Sequence, residues 1–203
     1  MKKLFYAMII INLLLLVSSV KSYGNTGDEE FRFNRFEPNF EIESEYLTPI
    51  QSARQIDTAS MNLLFRKNDY ISDNSSVYLG ITITRAWGDI IRPWGKVDNS
   101  AWGIGPMAMK RYQLMNWDKS CLSFESSVGL ILYNEDFPAG GEFYNFMWRI
   151  GPKYTCYINE NSIFSIGYKL MHVSNGQFSG NSRASNNPAY NAKGISISIT
   201  RKF

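Results

Sequence analysis

The chain has 203 residues, a single histidine, two cysteines and a formal charge of +3, an excess that Lys2, Lys3 and Lys21 at the amino end account for. The near-neutral remainder carries no nucleic-acid footprint. One histidine with no carboxylates clustered near it makes no metal site, and no cofactor is expected. Beyond the amino end no run reaches the roughly 20 apolar residues of a membrane helix, whereas aromatics, Gly, Ser and Asn abound with apolar residues at alternate positions, pointing to an exported all-β protein.

The first 22 residues read as a cleaved secretory signal: Lys2 and Lys3, an apolar core from Leu4 to Val17, then Ser18, Ser19 and Ser22. The core is short for a bilayer anchor, and no cysteine lies near the cleavage region to carry a lipid. Residues 23–38 are polar and charged, a periplasmic lead-in.

From residue 39 to residue 203 the alternation predicts eight strands, at roughly 39–48, 59–67, 75–88, 100–113, 119–133, 142–157, 161–174 and 191–203. Val77, Leu79, Ile81 and Ile83 oppose Tyr78, Gly80, Thr82 and Thr84, and Tyr144, Phe146, Trp148 and Ile150 oppose Asn145, Arg149, Gly151 and Lys153. In the last strand Ile195, Ile197, Ile199 and the terminal Phe203 share a face opposite Ser196, Ser198, Thr200 and Lys202. A soluble sandwich turns the apolar face inward; a membrane barrel turns it to lipid. The terminal aromatic, the even strand count and connections alternating between short and long favour an eight-stranded antiparallel transmembrane barrel of the bacterial outer membrane, with periplasmic termini. Glu41, Glu43, Glu45, Glu125, Arg149, Lys153 and Lys169 fall on the face opposite the apolar one, where a narrow lumen would pair them. Alternation assigns Cys121 and Cys156 to opposite faces unless Pro152 shifts the register, so a disulfide is permitted by the compartment but not implied.

The seventh strand carries Phe164, Ile166, Tyr168, Leu170, His172 and Ser174 in one phase. Residues two apart in a strand share a side, so an imidazole stands beside a hydroxyl, the pairing a base needs to activate a nucleophile. The bland reading of this H-x-S spacing is a row that has reached the headgroup zone, where polar residues are welcome.

His172-Val173-Ser174-Asn175, then a Gly/Ser/Asn-rich loop, then Asn187-Pro188-Ala189-Tyr190-Asn191 and a final amphipathic strand, resembles the PagL-type lipid A 3-O-deacylases. Motif-level likeness covers roughly the last 30 residues. The resemblance implies an eight-stranded barrel that hydrolyses an ester-linked acyl chain of lipopolysaccharide, with His172 as general base, Ser174 as nucleophile, Asn187 in the oxyanion hole and Asn175 following the nucleophile. The family's acidic triad member falls on Asn191, and no Asp or Glu follows Glu160. Asn191 can still orient the imidazole through its amide oxygen, as an Asn does in Cys-His-Asn sites, but supplies no charge.

The implied partners are lipid A and outer-membrane lipid, with Arg54, Arg85, Arg92, Lys96 and Arg183 as candidate phosphate contacts. Nothing in the sequence specifies an oligomer. Two other readings stand: a non-catalytic small barrel acting as structural element, adhesin or binding protein, and an esterase acting on phospholipid.

Overall fold

The structure is a computed structural model that describes residues 38–51, 53–67, 74–159, 162–175 and 189–201. The signal segment, most of the lead-in, Arg183, Asn187 and Phe203 lie outside the described residues.

Nine strands are described: β1 (Phe40–Pro49), β2 (Arg54–Arg66), β3 (Ser75–Arg92), β4 (Gly95–Asp98), β5 (Ala101–Asn116), β6 (Ser120–Phe137), β7 (Glu142–Asn159), β8 (Ser162–Ser174) and β9 (Tyr190–Arg201). All but β4 form one antiparallel ring in which β1 pairs with both β2 and β9, and β2 pairs with β3. Closure pairs each of the eight ring strands on both sides, as a spanning sheet in lipid requires. The short β4 is an addition to the expected eight. It folds back on β3 as an outer hairpin, pairing Asp89 with Asp98 and Arg92 with Gly95.

The seam between β1 and β9 depends on Gly194. A Cβ there would sit 2.0 Å from the carbonyl oxygen of Tyr46, so only glycine lets the first and last strands approach this closely.

The polarity is that of a transmembrane barrel. Ile42, Ile81, Ile104, Leu132, Ile166 and Ile197 lie exposed on six different strands. Trp117 and Tyr154, with ring centroids 6.5 Å apart, mark the end with the short turns, and Trp94 and Trp102 stand toward the end with the longer loops.

The lumen is packed with side chains in two tiers. The lower tier holds Glu41, Glu43, Glu45 and Glu125 with Arg111, Arg149, Lys153 and Lys169, all at most 4% exposed. Arg111 reaches Glu41 at 2.8 Å and Glu125 at 2.6 Å. Lys153 pairs with Glu41, with Glu43 at 3.1 Å and with Glu125 at 3.4 Å, while Lys169 bridges Glu125 and Glu43. Arg149 stands 3.0 Å from Glu45 and donates to Asn62 and Ser60, each at 3.1 Å. Four carboxylates thus face four basic side chains, the pairing that offsets the cost of placing such groups out of water. All seven charges assigned to the lumen by alternation lie there, and Arg111 joins them.

The upper tier is an apolar plug. Tyr133, Phe137 and Tyr190 stack with centroid separations of 4.6 and 5.6 Å over Leu47, Ile56 and Met147. The Tyr190 hydroxyl donates to the carbonyl of Ile56 at 2.6 Å, satisfying its one polar atom in this setting. Cys121 is buried in the lumen wall and Cys156 is in exterior phase; no disulfide joins them, and the pairing between Ser120 and Leu132 of β6 and their β7 partners runs without a bulge at Pro152.

Candidate active site

The loop ends of β8 and β9 stand on this plug. On β8, Met171 and Val173 point inward at 4% and 0% exposure, which turns His172 outward. On β9, the fully buried Tyr190 and Ala192 do the same for Asn191. The Asn191 carbonyl also accepts a hydrogen bond from the Ile50 N–H at 3.0 Å, fixing the strand end against the loop after β1.

His172 and Asn191 are direct partners in the β8–β9 register, and the imidazole Nδ1 lies 2.7 Å from the amide Oδ1. With that oxygen accepting, Nδ1 carries the proton and Nε2 is the basic nitrogen, the tautomer a general base needs. The site therefore holds an imidazole oriented by a neutral acceptor.

Ser174 follows in the same exterior phase, opposite Phe146 of β7. It differs from the expectation of an open lipid-facing hydroxyl: Ser174 and Asn175 are 3% and 2% exposed, so both are covered by protein. Of the five residues singled out in the sequence, the structure brings His172 and Asn191 into contact and keeps Ser174 and Asn175 at the same strand end. Asn187 lies outside the described residues.

Below the pair runs an apolar wall. Tyr168 faces Ile195 and Ile166 faces Ile197 across β8 and β9, all four exposed, with Leu170 above them opposite the exposed Lys193. A hydrocarbon chain lying on this wall would point its polar end at His172. Lys193 escaped the list of candidate phosphate contacts, though its exterior phase two residues from Asn191 could have shown it. Arg85 and Lys96 belong to another wall. Arg85, stacked 4.8 Å over Trp102, lies on β3, four strands round the ring from β8, and Lys96 pairs with Asp89 on the β3–β4 hairpin. Arg92 is engaged in holding the outer loops, donating to the Ala139 carbonyl at 3.2 Å.

The row extends to β7, where Trp148 is the register partner of His172. Its indole nitrogen is buried and has no hydrogen-bond partner among the described residues. The strand pattern placed Trp148 on the apolar face, but its position beside His172 depends on pairing between strands that no local pattern encodes. No group of three or more metal-ligating side chains occurs among the described residues.

A closed ring of eight strands, with lipid-facing apolar residues outside and a charged lumen, defines a small outer-membrane β-barrel. In fold the chain is similar to the crystal structure of the outer membrane enzyme PagL, with a TM-score of 0.55 and 12% sequence identity over 78% of this chain and 97% of that one. No protein-family model matches the chain, and no curated relative does.

Proposed function

We propose that this barrel is a serine esterase of the outer membrane that removes an ester-linked acyl chain from lipid A, as a PagL-type 3-O-deacylase does. The observation that carries the reading is the 2.7 Å contact between His172 and Asn191, set in the phase of Ser174 at the head of an apolar wall. The first 22 residues direct export and are cleaved, and residues 39–203 form the barrel.

His172 Nε2 takes the proton of the Ser174 hydroxyl as its oxygen bonds to the acyl carbonyl carbon. The imidazolium returns that proton to the departing sugar oxygen as the ester bond breaks, and water repeats the cycle to release the fatty acid. Asn191 holds the ring throughout. Asn175 and Asn187 stabilise the oxyanion. No cofactor enters these steps. The exterior position suits a substrate delivered within the outer leaflet, and Lys193 suits one that carries phosphate.

The test is fatty-acid release by purified protein in detergent from lipid A and, separately, from phospholipid. The parent is expected to act on lipid A, with the Ser174→Ala and His172→Ala variants folded and slower by about 10³-fold or more. Release from phospholipid alone would reassign the substrate, and release by neither would leave a non-catalytic barrel.

A further inference from the structure

We infer that Trp148 is a substrate-binding residue of this site, its indole N–H reserved for the carbonyl oxygen of the acyl ester. The inference deepens the esterase reading and rests on it. Buried polar groups in folded proteins almost always find partners, so a covered indole nitrogen with none among the described residues calls for a reason. Trp148 Nε1 differs in place from other such atoms: Ser196 Oγ and the Glu45 oxygens, also without a hydrogen bond among the described residues, face the lumen, where Glu45 has Arg149 at 3.0 Å. The unpartnered donor stands beside the one histidine.

Position makes the role specific. Trp148 faces His172 directly across β7 and β8, and Ser174 faces Phe146, the next exterior residue of β7. Trp148 and Ser174 are therefore diagonal neighbours on one face, a separation of roughly 7–8 Å that a large aromatic side chain spans. An ester whose carbonyl carbon meets the Ser174 oxygen presents its carbonyl oxygen within reach of that indole. Ser174 and the indole nitrogen are both covered by protein at this strand end. When the Ser174 oxygen bonds to carbon, the carbonyl π pair moves onto oxygen and the hydroxyl proton moves to His172 Nε2. The developing oxyanion then accepts from the indole N–H, a donor with no other bond to break.

Trp148→Phe keeps an aromatic ring and removes the donor, and β-(3-benzothienyl)alanine at the same position keeps nearly the whole shape. Fatty-acid release from lipid A by parent, both variants and Ser174→Ala is measured in detergent, with cold-gel mobility reporting the folded barrel. Both Trp148 variants are expected to lose about 10²-fold in kcat with KM changed less than about twofold. In the parent, the indole N–H resonance that Trp148→Phe abolishes should move downfield when Ser174 is phosphonylated by an alkylphosphonate ester, a response that a packing role would not produce. Parent activity matched by the benzothienyl variant, with no shift of that resonance, overturns the inference and leaves the esterase intact. A parent no faster than Ser174→Ala overturns both.

Discussion

Replacing Asn191 separates an orienting residue from a bystander. In Asn191→Ala the acceptor 2.7 Å from His172 Nδ1 is lost, and with it the contact that favours the Nδ1-protonated tautomer. As His172 takes the serine proton this bond becomes charge-assisted, and such bonds contribute about 1.5–3 kcal/mol. At about 1.4 kcal/mol per factor of ten, kcat/KM for lipid A should fall by roughly 10- to 150-fold. Asn191→Asp is the sharper arm, because it places a carboxylate oxygen where Oδ1 stands and adds a charge that favours the imidazolium. Its turnover should equal or exceed the parent's. The assay is fatty-acid release in detergent micelles, with cold-gel mobility to certify folding. Asn191→Ala working as fast as the parent, or Asn191→Asp falling below Asn191→Ala, would refute the reasoning.

The lumen and the seam give two predictions on stability. Glu125 serves Arg111, Lys153 and Lys169 together, so Glu125→Gln removes the anion they share and should lower unfolding free energy by about 3–5 kcal/mol; an unchanged urea midpoint in detergent would contradict the ion lattice. Gly194→Ala forces a methyl against the Tyr46 carbonyl and should open the β1–β9 seam, seen as loss of the fast-migrating band on unheated gels; a fully heat-modifiable variant would contradict the close approach.

The barrel was legible because alternation in a membrane barrel records the contrast between lipid and a packed lumen at each step. Ile195, Ile197 and Ile199 against Ser196, Ser198 and Thr200 encode that contrast without interruption. It fades above the membrane, where both faces meet polar surroundings. There β2 begins at Arg54 rather than near 59, β3 runs to Arg92, and β4 occupies a stretch where the alternation predicts a loop. Arg111 was missed among the lumen charges although Gly103, Gly105, Met107 and Met109 lead to it in inward phase. The contact between His172 and Asn191 was half legible: phase put both outside, and the β8–β9 register made them partners. Trp148 joined them only through the β7–β8 register, which is set by the whole ring. The burial of Ser174 likewise depends on tertiary packing that strand phase does not report.

The central claim is that His172 and Ser174 deacylate lipid A, and mass spectrometry of lipid A from a Gram-negative host expressing the chain tests it most directly. The parent should yield lipid A lighter by one ester-linked acyl chain with phospholipids unchanged, and Ser174→Ala at equal barrel abundance should leave lipid A intact. Identical lipid A from cells bearing the folded parent and the folded Ser174→Ala variant would contradict the account.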